Sequence, residues 1–286
     1  MSDDNRWQPD FILVGAMKCG TSTLAKQLDA QDGVFMAMPK EPNYFSDDAV
    51  YARGDAWYRS LFNPALEGDL KGEASTHYTK LPTYPQTVTR MARVLDRPRI
   101  LYMIRNPMNR AVSHYIHEWS ESRMSNRPEH AFATHSEIVD YGRYGMQIRP
   151  YIDSFGAENV MLTSLEQINR DADAAFARIC EFLGMPQGAA WQYAIDAQNV
   201  SSRRVRKIPM QALLLDNPAA QALRRTLVPK GVRRWVRERR SMTTRPEIPA
   251  SLKARMQDHF LQDREQLAEL FPGHPALRLC YPFAVQ

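Results

Sequence analysis

The chain has 286 residues and a formal net charge of +5, with 44% hydrophobic and 24% charged residues. This balance is typical of a soluble globular protein, and the length is ample for a substantial core in one domain over residues 1–286. A membrane span is excluded, because the apolar run Phe11–Val14 is far too short to cross a bilayer. Residues 1–10 lack the pattern of a signal peptide, so we expect a cytoplasmic protein.

Strand and helix patterns alternate through the first two thirds of the chain. Strands are predicted over residues 11–15, 34–37, 69–72, 99–104 and 160–163. Helices are predicted over residues 22–30, 85–95, 107–119, 144–155 and 171–183. The alternation predicts an α/β fold with right-handed crossovers, in which a central parallel sheet is flanked by helices and the core lies within residues 11–184.

The last third of the chain contains a basic interval followed by a helix. Residues 200–245 are interrupted by Pro209, Pro218 and Pro229, and their basic residues are almost unopposed by acidic ones. We expect this interval to form a partly ordered basic lid or excursion. The apolar spacing of residues 251–270 predicts an amphipathic C-terminal helix.

The basic interval has three interpretations. Nucleic acid is one candidate partner, but no zinc-finger, helix-turn-helix or stacking-platform pattern accompanies the charge. A phosphate-bearing cofactor or an acidic substrate explains the charge equally well, and a solvated basic face is the commonest case.

Cysteine usage indicates the redox environment. Cys19, Cys180 and Cys280 are odd in number, widely separated and not in a metal-binding spacing. They are therefore predicted to be free thiols in a reducing compartment, with no metal site.

The first predicted strand ends in the pattern of a phosphate-binding loop. Residues 11–24 form a short apolar strand, a turn that holds Lys18 and Gly20, and a helix start rich in hydroxyl groups. A helix N-terminus binds anions through its unpaired amide groups and positive dipole, and glycine lets the backbone approach closely. The lysine precedes its glycine, whereas in a nucleoside-triphosphate P-loop it follows. An ordinary strand-to-helix turn with a solvated Lys18 is the alternative.

A second strand end offers another anion-binding position. Arg105 directly follows the strand predicted over 99–104, and the helix that starts at Pro107 presents Ser113 two turns along. A guanidinium fork and a hydroxyl donor can together hold a phosphate. A magnesium-dependent kinase usually has an aspartate where Arg105 stands. The pattern favours a metal-free phosphate site, with an ATP-dependent small-molecule kinase and a basic nucleic-acid-binding protein as competing classes.

Four motifs follow one another within residues 11–184. They are Gly-Ala-Met-Lys-Cys-Gly-Thr-Ser-Thr-Leu at 15–24, Lys-Glu-Pro-Asn-Tyr-Phe at 40–45, Gly-Glu-Ala-Ser-Thr-His-Tyr at 72–78 and Arg-Asn-Pro-Met-Asn-Arg-Ala-Val-Ser-His-Tyr at 105–115. Together they resemble sulfotransferases that use 3′-phosphoadenosine 5′-phosphosulfate (PAPS), especially the branch of the heparan sulfate sulfotransferases and their bacterial relatives. The resemblance implies a P-loop-kinase-like sulfotransferase fold, PAPS as donor and 3′-phosphoadenosine 5′-phosphate (PAP) as product.

The resemblance also implies which residues bind the donor. Arg105 and Ser113 match the positions that grip the 3′-phosphate, and Arg203 and Arg204, with Arg206 beside them, match loosely a basic segment that closes over it. The 5′-phosphosulfate would be bound, largely through backbone amides, by Lys18, Cys19, Gly20, Thr21, Ser22 and Thr23.

Catalytic roles follow from the same resemblance. Lys18 matches the lysine that stabilises charge on the bridging oxygen and the departing phosphate, and Glu41 matches the general base. A useful base near neutrality should have a pKa raised by burial. His77 lies close to this site and is a candidate for acceptor binding or for an alternative base, although a structural histidine is the commoner case. His114 and His117 are expected to be packing or surface residues.

The acceptor is the least defined part of the prediction. Heparan sulfate enzymes often have a lysine where this chain has Ala74, so the charges near the acceptor must differ. We expect in-line transfer to a hydroxyl, or less readily an amine, of a small molecule or glycan. Aromatic residues are candidates for an acceptor pocket or for simple core packing, namely Tyr44, Phe45, Trp57, Tyr58, His77, Tyr78 and Trp119.

Overall fold

One parallel sheet forms the centre of the molecule. The structure, a computed structural model, describes residues 7–125, 127–185, 187–195, 242 and 244–284. The sheet has five strands in the order β2-β3-β1-β4-β5, and each neighbouring pair is parallel. They are β1 (Phe11–Gly15), β2 (Val34–Met36), β3 (Leu70–Ala74), β4 (Arg99–Ile104) and β5 (Val160–Ser164). The predicted α/β fold is confirmed, and β3 runs two residues beyond its predicted end.

Helices connect the strands and cover the sheet. In chain order they are α1 (Thr21–Asp29), α2 (Asp48–Tyr51), α3 (Asp55–Ser60), α4 (Thr87–Val94), α5 (Pro107–Ser120), α6 (Pro128–Thr134), α7 (Glu137–Asp140), α8 (Tyr144–Phe155), α9 (Leu165–Arg170), α10 (Ala172–Leu183), α11 (Ala250–Leu270) and α12 (Ala276–Leu279). Each helix that the sequence predicted is present to within about two residues. The short helices α2, α3, α6, α7, α9 and α12 were not predicted, because one or two turns are too few for a helical period to show.

The central strands are buried on both faces. In β1, Ile12 and Val14 pack into a core with α5, α8 and α11, whereas Phe11 and Leu13 pack on the opposite face with α1 and α10. The same alternation occurs in β4. A strand that is covered on both faces reads as a continuous apolar run, which is why these two strands were clear in the sequence.

A buried carboxylate joins the C-terminal helix to the sheet domain. Asp263 of α11 is 1% exposed and accepts hydrogen bonds from the amides of Gly145 (2.7 Å) and Met146 (2.9 Å) at the start of α8. A side chain at Gly145 would place its Cβ 2.7 Å from the carbonyl oxygen of Asp263, so glycine is needed for this close approach. Burial raises the pKa of Asp263 to about 6 against the lowering effect of these two amides.

The carboxyl ends of the strands meet at one edge of the sheet. The loop after β1 leads into α1, a 3-10 turn over Thr76–Thr79 follows β3, and Arg105 and Asn106 connect β4 to α5. The last residue of β5, Ser164, caps α9 by accepting a hydrogen bond from the amide of Gln167. In sheets of this kind the loops at the carboxyl edge form the ligand site.

The contact between Asp263 and α8 should be important for stability. We expect Asp263→Ala to lower the free energy of unfolding by about 1–3 kcal/mol, since two first-turn amides of α8 lose a buried acceptor. Urea unfolding followed by circular dichroism measures the change. The control is Asp258→Ala on the exposed side of the same helix, which should stay within about 0.5 kcal/mol of the parent. Equal effects of the two substitutions would contradict this assignment.

Candidate active site

A cleft of about 470 Å³ opens at the carboxyl edge of the sheet. The loop after β1 and the start of α1 form one part of it, and the segments after β2 and β3 form another. It is lined by Met17, Lys18, Gly20, Thr21, Ser22, Thr23, Glu41, Thr76, His77, Lys80, Arg105, Ser113, His117, Glu118, Arg123, Leu165 and Asn169. Five chain segments that are far apart in sequence, one after each strand, therefore contribute to a single site.

The loop after β1 has the geometry of an anion site. Gly20 has φ +94° and directly precedes α1, and a Cβ there would lie 3.1 Å from both Leu165 and Met103. The first two amides of α1 lie too early in the helix to bond to a preceding turn, and the positive end of the helix dipole is at the same point. Lys18, which is also in the left-handed region at φ +66°, lines the cleft beside them. A negatively charged group fits this position.

Arg105 lies beside this loop. Its Nη1 donates a hydrogen bond to the carbonyl oxygen of Lys18 (3.2 Å), and Tyr144 donates to the carbonyl oxygen of Arg105 (2.8 Å). The buried Nε of Arg105 has no hydrogen-bond partner among the described residues. Ser113 of α5 lines the same cleft. A buried guanidinium N–H without an acceptor is unusual, and it indicates that an anionic ligand group fits here.

Cys19 belongs to this loop but is not among the residues that line the cleft, and donor binding through its backbone stays a prediction. Its side chain is fully buried, with Sγ 3.6 Å from the hydroxyl of Tyr144, and its amide donates to the carbonyl oxygen of Ala16 (3.2 Å). Burial raises the pKa of the thiol to about 11, despite the opposing charge of Arg105. The thiol is thus protonated at neutral pH and packs in the core beneath the loop, against Tyr144.

Glu41 is held in the cleft by its backbone and by its neighbours. It has φ +60°, a conformation that is uncommon for residues other than glycine, and its amide donates to the carbonyl oxygen of Ala74 (2.9 Å). The carboxylate accepts hydrogen bonds from Lys40 (2.8 Å) and from the hydroxyl of Thr76 (3.3 Å to each oxygen). Strained backbone of this kind often occurs at functional sites.

The charges around Glu41 decide its ionisation. Burial is the largest single influence and would raise the pKa, but Lys40, Lys80 and His77 together outweigh it and leave the pKa below the ordinary value of 4.5. The sequence analysis expected a raised pKa, and this expectation is wrong. Burial alone would raise the pKa of the carboxylate, but the fold surrounds it with cations that lower the pKa.

His77 and Lys80 are on the same part of the cleft as Glu41. The ring of His77 stacks on Tyr84 with centroids 4.9 Å apart, and its buried Nδ1 has no partner among the described residues. Burial, followed by the charge of Lys80, lowers the pKa of His77 to about 4. Burial also lowers the pKa of Lys80 to about 8. At neutral pH the histidine is neutral and the lysine is mostly charged.

Several residues of the cleft were not predicted to be functional. His117 was expected to be a packing or surface residue, yet it lines the cleft one helical turn after Ser113. The i to i+4 spacing places both side chains on one face of α5, so this position could have been predicted from Ser113. Glu118 and Arg123 line it as well and form an ion pair at 2.5 Å. Lys80 had no such signal, because its place depends on how the chain turns after β3. His114 is buried against Tyr141, as expected.

Most of the candidate aromatic residues belong to the core rather than to an acceptor pocket. Tyr44 and Tyr58 are fully buried and stacked, with ring centroids 4.7 Å apart. Their hydroxyl groups donate to Asp55 (2.6 Å) and to the buried Glu73 (2.5 Å), so the core satisfies both. Phe45, Trp57 and Tyr78 pack in the same core, and Trp119 lines a separate cavity; of the seven candidates, His77 lines the cleft.

The basic interval is described only at its end. Arg203 and Arg204, with nearly all of the predicted lid, lie outside the described residues. Arg245 is described, and its Nη2 donates to the carbonyl oxygen of Asn109 (3.4 Å) at the start of α5. Burial and then the charge of Arg105 lower the pKa of Arg245.

The described residues contain neither a cluster of metal ligands nor a membrane-spanning helix. No group of three or more histidine, cysteine, aspartate or glutamate side chains there has the arrangement of a metal site. Within the same ranges, no helix is both long enough and apolar enough to span a membrane.

Comparison with known proteins identifies the family. A family model described as a sulfotransferase domain matches residues 8–262. Heparan sulfate glucosamine 3-O-sulfotransferase 3A1 of Mus musculus is 25% identical over 194 residues, which are 65% of this chain and 48% of that protein. Heparan sulfate glucosamine 3-O-sulfotransferase 6 of Homo sapiens is 28% identical over 185 residues, 62% of this chain and 52% of that protein. The chain thus spans about half the length of these relatives.

A solved structure shares the fold over nearly the whole chain. The sulfotransferase from Alicyclobacillus acidocaldarius superposes with a TM-score of 0.67 at 23% identity and covers 95% of this chain and 99% of its own. The match to the family model favours a sulfotransferase over the kinase and nucleic-acid-binding alternatives. The match covers most of the chain, which therefore belongs to the sulfotransferase family.

Proposed function

We propose that this enzyme transfers a sulfuryl group from PAPS to a hydroxyl group of a glycan or small molecule, with Glu41 as general base and Lys18 stabilising the leaving phosphate. One observation carries the proposal: Glu41 and the N-terminus of α1 line the same cleft. A base and an anion site in one cleft are what an in-line transfer requires. The names of the relatives specify O-sulfation of a glucosamine unit, which supports a hydroxyl acceptor over an amine.

The donor side of the cleft would hold PAPS at both of its phosphate groups. PAPS supplies an electrophilic sulfur and a phosphate leaving group. The amides at the start of α1, with Lys18 and the hydroxyl groups of Thr21, Ser22 and Thr23, would bind the 5′ end. The unpartnered Nε of Arg105, together with Ser113, would bind the 3′-phosphate, and Arg245 would add a second positive charge.

Glu41 would accept the proton of the acceptor hydroxyl. Its carboxylate is ionised at neutral pH because nearby cations hold its pKa low, so it is ready to accept a proton once the acceptor oxygen bonds to sulfur and becomes acidic. The hydrogen bonds from Lys40 and Thr76 would fix its orientation. His77, neutral and next to Glu41, would orient the acceptor or serve as an alternative base.

Measurements of nucleotide binding should distinguish the proposed roles of Lys18 and Glu41. We expect Lys18→Ala and Glu41→Gln each to abolish most turnover, since one removes the charge at the leaving group and the other removes the base. Glu41→Gln should leave PAP affinity nearly intact, whereas Lys18→Ala should weaken it. Calorimetric titration with PAP and an assay of sulfuryl transfer measure the two effects. Equal losses of PAP affinity would contradict this division of roles.

The proposed 3′-phosphate contact can be tested with two nucleotides. We expect Arg105→Gln to weaken PAP binding by roughly 10- to 100-fold, the effect of one charged hydrogen bond worth about 1.5–3 kcal/mol. Adenosine 5′-phosphate lacks the 3′-phosphate, so its affinity should change much less. Arg178→Gln, at a cavity beside β5, is the control and should change neither affinity. A similar loss for both nucleotides would exclude a specific 3′-phosphate contact.

The pH dependence should follow the charges around Glu41. The base must be deprotonated, and its pKa lies below 4.5, so kcat/KM should be flat through neutrality and fall only below about pH 4.5. Lys40→Gln removes the cation that most lowers this pKa, so it should move the acid limb to higher pH. Assays started by dilution from pH 7 separate this limb from acid unfolding. An unmoved limb would show that Glu41 is not the titrating group.

A further inference from the structure

The side chain of Lys80 is buried in the cleft without a carboxylate partner. The residue is 9% exposed and lines the cleft, and its ammonium group forms no ion pair with any described residue. Its recorded neighbour is the ring of Tyr141, whose centroid lies 5.8 Å from Nζ. The side chain is largely buried and no ion pair with a described residue neutralises its charge, so an anion bound in the cleft would be stabilised beside it.

Carboxylates near Lys80 already have other partners. Glu41 and Glu118 are the acidic groups whose charge acts on Lys80. Glu41 pairs with Lys40 at 2.8 Å, and Glu118 pairs with Arg123 at 2.5 Å. Lys80 is therefore a positive charge in excess of what the described carboxylates of the cleft neutralise.

The backbone on both sides of Lys80 is fixed. The hydroxyl of Thr79 donates to the carbonyl oxygen of Val14 (3.0 Å), at the end of β1. The side chain of Gln147 accepts from the amide of Leu81 (2.8 Å) and donates to its carbonyl oxygen (2.9 Å). Rigid placement of this kind is typical of residues that recognise a ligand rather than of solvated surface lysines.

We propose that Lys80 determines acceptor specificity by binding an acidic group, a carboxylate or a sulfate, that the acceptor carries near the hydroxyl to be sulfated. This inference rests on the proposed function. Lys80 follows the turn that contains Thr76 and His77, on the part of the cleft that holds Glu41, whereas the donor anions have α1, Lys18 and Arg105.

The charge of Lys80 would help an anionic acceptor to bind next to Glu41. An anionic acceptor that approaches the ionised Glu41 is repelled, and the ammonium of Lys80 offsets this repulsion. Ala74 leaves the end of β3 without a cation, and Lys80, six residues later in the chain, supplies one to the same part of the cleft. The acceptor class is thus a hydroxylated molecule with an acidic group, and a neutral phenol or alcohol is a poor fit.

Matched pairs of probes test the proposal on the full chain with saturating PAP. One pair is methyl β-D-glucuronide and methyl β-D-glucoside, and the other is glucose 6-sulfate and glucose. Ligand-observed NMR titration gives the affinity of each. We expect the acidic member to bind about tenfold more tightly in at least one pair, the effect of one charged contact. The pair that shows the preference distinguishes a carboxylate from a sulfate.

Variants identify the residue responsible. Lys80→Met keeps the length of the side chain and removes its charge, so the ratio of the two affinities should fall to about one, while PAP affinity, measured in parallel, reports on folding. Lys253→Met, at an exposed position of α11, is the matched control and should keep the ratio.

The outcomes separate this inference from the proposed function. A ratio near one in the parent enzyme, including no detectable binding of any probe, would overturn the inference while PAP binding persists. Equal weakening of acidic and neutral probes by Lys80→Met would also overturn it, and would indicate that Lys80 supports the shape of the cleft rather than recognising the acidic group. Failure of the parent enzyme to bind PAP would contradict the proposed function itself.

Discussion

A hydrogen bond joins two of the chain segments that form the candidate site. Arg105, at the end of β4, donates to the carbonyl oxygen of Lys18 in the loop after β1. The two strands are neighbours in a parallel sheet, so their ends must lie side by side, and the bond fixes a guanidinium next to the N-terminus of α1. The fold thereby concentrates positive charge at one edge of the sheet, where the proposed donor would place its phosphate groups.

The cleft contains charged groups that pair within the protein and others that do not. We assign a structural role to the first kind and ligand binding to the second. Glu118 with Arg123 and Glu41 with Lys40 are ion pairs that the protein completes by itself. Among the described residues, the buried Nε of Arg105 has no hydrogen-bond partner and the ammonium of Lys80 forms no ion pair. Buried polar groups are normally satisfied, so these two positions are where ligand anions are expected, one for the donor and one for the acceptor. Glu41 lies within the same positive environment, which explains why burial does not raise its pKa.

The aromatic residues near Glu41 belong to the core, although their sequence pattern also fitted an acceptor pocket. A run of tyrosine, phenylalanine and tryptophan next to Glu41 is compatible with a pocket for a flat acceptor or with a core. Tyr58 donates to the buried Glu73, and Tyr44 stacks on Tyr58, so this cluster anchors the polypeptide behind the site. The cleft is instead lined mostly by polar and charged side chains, which fit a charged, hydroxylated acceptor better than a flat aromatic one.

The sequence by itself determined the sheet, the family and most of the cleft residues that we propose for the donor. Strands buried on both faces are continuous apolar runs, and the loop from Gly15 to Thr23 with Arg105 and Ser113 consists of local patterns at strand ends, so spacing alone revealed them. Only the tertiary structure decided that Cys19 lies below the loop, that cations lower the pKa of Glu41, and that Lys80 and His117 enter the cleft. The physical reason is that electrostatics and burial depend on distances between segments that are remote in the chain, and no local pattern encodes those distances.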